Sequence, residues 1–321
     1  MTNDKIMIRA IFRAVKVKDI EPPFDTLFLK VFYPALVPQN DTERNSGILS
    51  PDVSKSPFPV VIFLNGVNCP PESYGWLAEF LGENGYVFVT FNWITDTLPG
   101  GIAGLTPGID MRFMTAENYG KAPTGAAIQP ILEDLEKINS ENLLGGLLDL
   151  ENVHLGGHSA GGSVALTNAN PQFFPPIKSV FAYAAHTQGS TMLGFPPDSV
   201  LPICAEIPVL IMGGNRDGVI TWSARRYGKT EGDAVLPLKQ TFDKAISGTR
   251  DDRFLIIFDG ANHFTFAHPK DATTGRPFLD LPPLDDESEM RNLMAEMILE
   301  FLKSGNLKER NDKRIVSFEC K

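Results

Sequence analysis

Three residue types that together turn a weak nucleophile into a strong one stand in order along this chain: Ser159, Asp217 and His263. A serine hydroxyl attacks a carbonyl carbon only when a base takes its proton. An imidazole serves as that base when a carboxylate fixes its tautomer and stabilises the imidazolium. Ser159 lies in Gly157-His158-Ser159-Ala160-Gly161, a G-x-S-x-G pattern directly behind the apolar Val153-His154-Leu155-Gly156 and ahead of a small-residue stretch, Gly162 to Ala169. That context predicts a strand turning sharply into a helix, with the turn serine in a strained conformation and glycines where a Cβ would collide with neighbouring chain.

Such an elbow calls for an acid and a base in loops after later strands, in the order Ser, Asp, His. Pro208 to Met212 is an apolar run ending in Gly213-Gly214-Asn215-Arg216-Asp217-Gly218, which presents Asp217 as the acid. Phe254 to Phe258 ends in Asp259-Gly260-Ala261-Asn262-His263-Phe264, which presents His263 as the base. An aspartate in a turn is usually structural, so strand-end placement and order carry this assignment. His268, farther from its strand and followed by Pro269, is the alternative base; Asp259 is the alternative acid, disfavoured because it lies too near His263 along the chain to come from a separate loop.

Charge developing on a substrate oxygen requires two N–H donors aimed at it. Ala160, the residue after the serine, offers one backbone amide. Asn65-Gly66-Val67-Asn68, after the apolar strand Pro59 to Leu64, offers the Val67 amide as the second, with Gly66 allowing close approach. Asn65, Asn68, His158, His186 and Phe264 are candidate pocket residues. His158 is expected to turn its side chain away from the hydroxyl, and His154 to pair with backbone or water within its strand. His186 is open to two readings, substrate contact or plain loop residue, and so are the pairs Phe173-Phe174 and Phe264 with Phe266, core or pocket wall.

The elements that must hold these residues follow from periodicity. Ile6 to Val17 and Thr26 to Tyr33 are predicted as paired leading strands, and Leu36 to Phe58, rich in Pro, Asn, Ser and Asp, as a surface loop without fixed structure. A helix from Glu72 to Glu83 precedes a strand from Tyr86 to Phe91, and a helix around Ile128 to Ile138 precedes the elbow strand. Thr97 to Gly125 is rich in glycine and proline and too long for a simple connection, so it is a candidate lid or pocket wall, or else a passive loop. Ile177 to Ala185 is a further buried strand, and Glu289 to Lys303 a final amphipathic helix with Asp286 at its cap. Alternating strands and helices indicate an α/β fold with a mostly parallel sheet covered on both faces, formed by residues 1–321 as one domain.

Composition narrows the field. With 43% hydrophobic and 21% charged residues and a net charge of −10, the chain fits a soluble globular protein and argues against a nucleic-acid partner. Cys69, Cys204 and Cys320 are too few and scattered for a disulfide framework or metal site and are expected as unpaired thiols of a reducing, cytoplasmic setting. The chain shows no signal peptide and no uncharged run long enough to cross a bilayer; contact with a membrane surface carrying the substrate stays open.

The motifs Phe63-Leu64-Asn65-Gly66, Gly157-His158-Ser159-Ala160-Gly161-Gly162, Asn215-Arg216-Asp217 and Ala261-Asn262-His263-Phe264 resemble those of the α/β-hydrolase family, in the branch of dienelactone-hydrolase-like esterases, platelet-activating-factor acetylhydrolases, polyester hydrolases and chlorophyllases. Two positions depart from its patterns: Asn65 stands before Gly66 where many relatives have histidine, and Ser159 stands where dienelactone hydrolase proper has cysteine. The resemblance implies a cofactor-free and metal-free serine ester hydrolase acting on a small lipophilic ester, with the elbow most similar to a bacterial-type chlorophyllase, which cleaves the phytyl ester of chlorophyll. Short-chain esterases, lipases, polyester hydrolases and amidases share this machinery, and a non-catalytic binding protein on the same fold is the remaining alternative.

Overall fold

The computed structural model describes residues 7–98, 101–141, 143–204, 206–248, 250–284 and 286–321. Met7–Lys16 (β1) and Thr26–Ala35 (β2) pair antiparallel along their full length, Met7 opposite Ala35 and Lys16 opposite Thr26. The central strands follow: Phe58–Leu64 (β3), Val87–Asn92 (β4), Leu148–His158 (β7), Ile177–Tyr183 (β8), Val209–Gly214 (β9) and Arg253–Phe258 (β10). All six run parallel. With Ile315–Cys320 (β11) antiparallel to β10, they form one nine-stranded sheet in the order β1-β2-β4-β3-β7-β8-β9-β10-β11. Ile94–Leu98 (β5) and Ile102–Leu105 (β6) make a separate two-stranded hairpin.

The parallel strands are apolar on both sides because helices cover both faces. In β3, Val60 to Leu64 are fully buried, as are Val209 to Met212 in β9. Each such side chain removed from water contributes roughly 1.5–3 kcal/mol. The helices are Asp41–Ser46 (α1), Gly75–Glu83 (α2), Ile128–Ser140 (α3), Ala160–Asn168 (α4), Gly218–Ser223 (α5), Leu236–Gln240 (α6) and Glu287–Ser304 (α7). In α7, Met290, Leu293, Met294, Met297, Ile298 and Phe301 bury one stripe while Glu289, Glu296 and Lys303 face outward. Asp286 caps it by accepting the Ser288 N–H. Among the described residues no helix is long and apolar enough to cross a membrane.

Two segments depart from expectation. Leu36 to Phe58 is not structureless: it holds α1, a short 3-10 turn at Val53–Lys55 and the first residue of β3. The helix forms without an apolar stripe because its ends are satisfied locally. Asn40 Oδ1 accepts the Glu43 N–H at 2.9 Å, the Glu43 carboxylate accepts from Gln39 N and Ser50 Oγ, and Gly47 closes the helix in the left-handed region. Thr97 to Gly125 likewise carries most of the β5–β6 hairpin; residues 99 and 100 lie outside the described part. The Asn68 side chain accepts the Leu105 N–H, and the Asn68 N–H donates to the Leu105 carbonyl, so this hairpin is tied to the loop after β3. The three cysteines are unpaired, Cys69 buried, Cys204 half-buried and Cys320 exposed.

Candidate active site

At the carboxyl end of β7 the chain makes the turn expected of it. Ser159 has φ +56° and ψ −128°, a conformation that side-chain-bearing residues rarely adopt. Gly157 and Gly161 make it possible: a Cβ on Gly157 would strike the Gly161 carbonyl, and one on Gly161 would strike the carbonyls of Leu64 and Asn65 in the neighbouring strand end. Ser159 N–H donates to the Tyr183 carbonyl of β8, which fixes the turn against the sheet.

Ser159, His263 and Asp217 come together from three strand ends. His263 Nε2 lies 2.8 Å from Ser159 Oγ, and its Nδ1 lies 2.6 Å from Asp217 Oδ2. The other Asp217 oxygen accepts the Ile220 N–H at 2.7 Å, capping α5. Asp217 and His263 are 1% and 3% exposed, so their pair is shielded from solvent. Since a carboxylate can only accept, Nδ1 carries the proton and Nε2 faces the serine as acceptor.

Neighbouring groups hold the acid and base loops in register. Gly214 passes so close to the Ala261 carbonyl that no side chain fits there. Arg216 N–H donates to that carbonyl at 3.0 Å, and the Asn215 side chain joins Asp259 and the Gly260 N–H. Asp259 is thereby engaged away from His263. His268 is exposed, and its backbone N–H donates to the Ser73 carbonyl.

Asp280, which the sequence did not signal, braces both loops: one oxygen accepts the Gly218 N–H at 2.9 Å and the other the Phe264 N–H at 3.0 Å. Burial raises its pKa above the usual carboxylate value, and the Asp217 charge adds to that.

His158 turns away from the hydroxyl, as expected, and does structural work. Its Nε2 lies 3.0 Å from the His263 carbonyl and its Nδ1 2.9 Å from the Tyr74 hydroxyl, which accepts the Gly66 N–H at 3.0 Å. A carbonyl only accepts, so Nε2 bears the proton. Burial and the neighbouring His263 hold the His158 pKa well below the ordinary value, so the ring is neutral and Nδ1 accepts from Tyr74. A continuous chain of bonds thus runs from the loop after β3 to the backbone of His263.

Ala160 opens α4, where N–H groups lack intrahelical partners and the helix dipole is positive. Gly66 packs directly on Ser159: a Cβ on it would stand 3.5 Å from Ser159 Cβ. Val67 is the next residue along that loop.

A cavity of about 200 Å³ opens beside Ser159, Ala160 and His263. Its wall is mixed: Ile109, Met114, Leu193 and Val219 are apolar, whereas Ser163, His186, Gln188, Arg226 and Arg276 are polar or charged. His186 is therefore in the wall. Burial lowers its pKa to about 4, and its Nδ1 accepts the Gln188 N–H, leaving the ring proton on Nε2. Ile109 and Met114 bring part of Thr97 to Gly125 into the same wall.

Asn65, Asn68, His158 and Phe264 do not line this cavity. The Asn65 amide donates to the Phe91 carbonyl at 2.7 Å and accepts from Thr90, which anchors the β3 loop to β4. Asn68 and Phe264 border a smaller cleft with Cys69 and Asp271. Phe174 and Phe266 are core. His154 bonds Ser179 Oγ at 2.8 Å, a side chain and not backbone or water.

No family model matches the chain, and no curated protein does either. Among solved structures, a ferulic acid esterase from Streptomyces cinnamoneus is 15% identical and aligns over 98% of this chain and 94% of that one, with a TM-score of 0.56. The fold is that of the α/β-hydrolases. At this identity the likeness speaks for the architecture; the chemistry rests on the site.

Proposed function

We propose that the protein is a serine ester hydrolase in which Ser159 is the nucleophile, His263 the general base and then acid, and Asp217 the group that orients and stabilises His263. One observation carries the reading: the unbroken line from Ser159 Oγ through both nitrogens of His263 to Asp217, built on a serine held at positive φ.

Ser159 Oγ attacks the ester carbonyl as its proton passes to His263 Nε2, and the carbonyl oxygen becomes an anion facing the amides of Ala160 and Val67. Collapse of this intermediate expels the alcohol, which takes the proton from Nε2 and leaves an acyl group on Ser159. Water then attacks the acyl carbon, His263 again accepting a proton, and the acid departs as Ser159 regains its own. Each donor to the anion contributes about 3 kcal/mol to the transition state.

The esterase named in the matched structure is consistent with this class of reaction. The volume of about 200 Å³ supports an ester with a compact part in the cavity. A phytyl ester of chlorophyll would have to leave its ring outside a cavity of this volume.

The test is hydrolysis of a panel of p-nitrophenyl and alkyl esters, with chlorophyll included. We expect turnover of compact esters that disappears in Ser159→Ala. Turnover of none by the wild type, with unaltered folding, would point to a binding protein on this fold. Brisk release of phytol would restore the chlorophyllase reading.

A further inference from the structure

The cavity beside Ser159 carries positive charge that ester hydrolysis itself does not need. Arg226 and Arg276 both stand in its wall, and no aspartate or glutamate lines it among the described residues. Arg276 is half-buried and donates to Ser223 Oγ at 3.2 Å. Neither guanidinium forms an ion pair with a carboxylate among the described residues. Arg13, Arg112, Arg250 and Arg310, by contrast, each hold an aspartate or glutamate within 3.0 Å.

The two cations also act on each other. Burial first, and the charge of Arg226 next, hold the Arg276 pKa below its ordinary value. An anion placed between them relieves that repulsion. The planar guanidinium fork matches a carboxylate in geometry as well as charge. The neutral His186 ring, with its proton on Nε2, stands in the same wall as a donor without added charge.

We propose that Arg226 and Arg276 form a carboxylate-binding subsite, and that the substrate is an ester whose acyl part ends in a free carboxylate. This rests on the serine hydrolase reading. The acyl part is assigned to the cavity because it stays tethered to Ser159 after the alcohol has left. The volume of about 200 Å³ suits a short dicarboxylic acid esterified at one end.

The experiment compares p-nitrophenyl hemiglutarate with p-nitrophenyl valerate, acyl chains of equal length that differ in a terminal carboxylate or methyl. The wild type should prefer the hemiglutarate by about tenfold or more in kcat/KM, the scale of a charge-assisted hydrogen bond. That ratio should fall at least tenfold in Arg276→Gln and in Arg226→Gln, and recover in part in Arg276→Lys. General damage to the fold lowers both rates and leaves their ratio unchanged. A wild type that prefers valerate, or a ratio unmoved by both glutamine variants, overturns the proposal.

Should neither ester be turned over, glutarate alone decides: stabilisation of the wild type against thermal unfolding that is lost in the double glutamine variant supports the subsite, and no stabilisation overturns it. Fluorophosphonate labelling of Ser159 reports separately on the hydrolase reading, so the failure of one is distinguishable from the failure of the other.

Discussion

The ring of His158 is bonded to the backbone of His263, its Nε2–H donating to the His263 carbonyl across 3.0 Å. The residue next to the candidate nucleophile therefore holds the candidate base from behind. Through Tyr74 the same ring reaches Gly66, so the positions of the base and of the loop after β3 are coupled by one neutral imidazole.

Tyr74→Phe breaks that coupling while keeping the ring that packs on Phe63 and Phe266. It strands the Gly66 N–H and His158 Nδ1, each a buried polar group costing about 1–3 kcal/mol when unpaired. The expected outcome is a lower urea midpoint, and a kcat reduced about tenfold to a hundredfold as the loop carrying the proposed Val67 donor shifts, with KM changed much less. Equilibrium unfolding and steady-state kinetics on a p-nitrophenyl ester check both.

Asp280→Asn tests the brace between the acid and base loops. Asparagine keeps one acceptor and turns an NH₂ group toward the N–H of either Gly218 or Phe264, so one of the two bonds is lost. Stability should fall by about 1–3 kcal/mol. Because Asp280 does not line the cavity, kcat should drop while KM stays near the wild-type value; unchanged kcat would remove Asp280 from the positioning machinery.

Acid should weaken the fold as the pH drops below about 6.5, where buried neutral histidines resist protonation. His154 and His186 are buried neutral, their pKa values lowered by burial to about 4. The unfolded chain binds these protons near pH 6.5, so between pH 6.5 and 4 it holds more protons than the folded one. Stability is complete above pH 6.5 and falls as the pH drops toward 4, by up to about 3 kcal/mol for each ring. Urea midpoints measured from pH 7 to pH 4 should show this slope, and His154→Asn should flatten it. A midpoint independent of pH in that range contradicts the assignment.

How far the fold and site could be read from the chain differs by element. The elbow was legible because its glycines answer a local steric demand, and Asp217 and His263 because apolar runs locate strand ends without any knowledge of tertiary structure. Asp280 was not, since its segment has no periodicity and its role arises only when residues 62 positions apart meet at Gly218. Tyr74 falls inside the helix predicted from Glu72 to Glu83, but nothing local marks its hydroxyl as a link between two loops. Helix α1 was missed because capping, and not an apolar face, makes it. Strand β11 was missed because its pattern does not alternate: the apolar Val316 is exposed while the polar Ser317 and Glu319 are half-buried. The aromatic pairs were ambiguous because core and pocket wall ask for the same side chains.

The central claim is that His263 and Asp217 make Ser159 reactive, and covalent labelling measures this most directly. A fluorophosphonate probe should attach to the wild type at Ser159, located by peptide mass, and fail to attach to Ser159→Ala. The labelling rate should fall about a thousandfold or more in His263→Ala and in Asp217→Asn, both still folded. Equal labelling of wild type and either of these two variants, or attachment at another residue, would contradict the account.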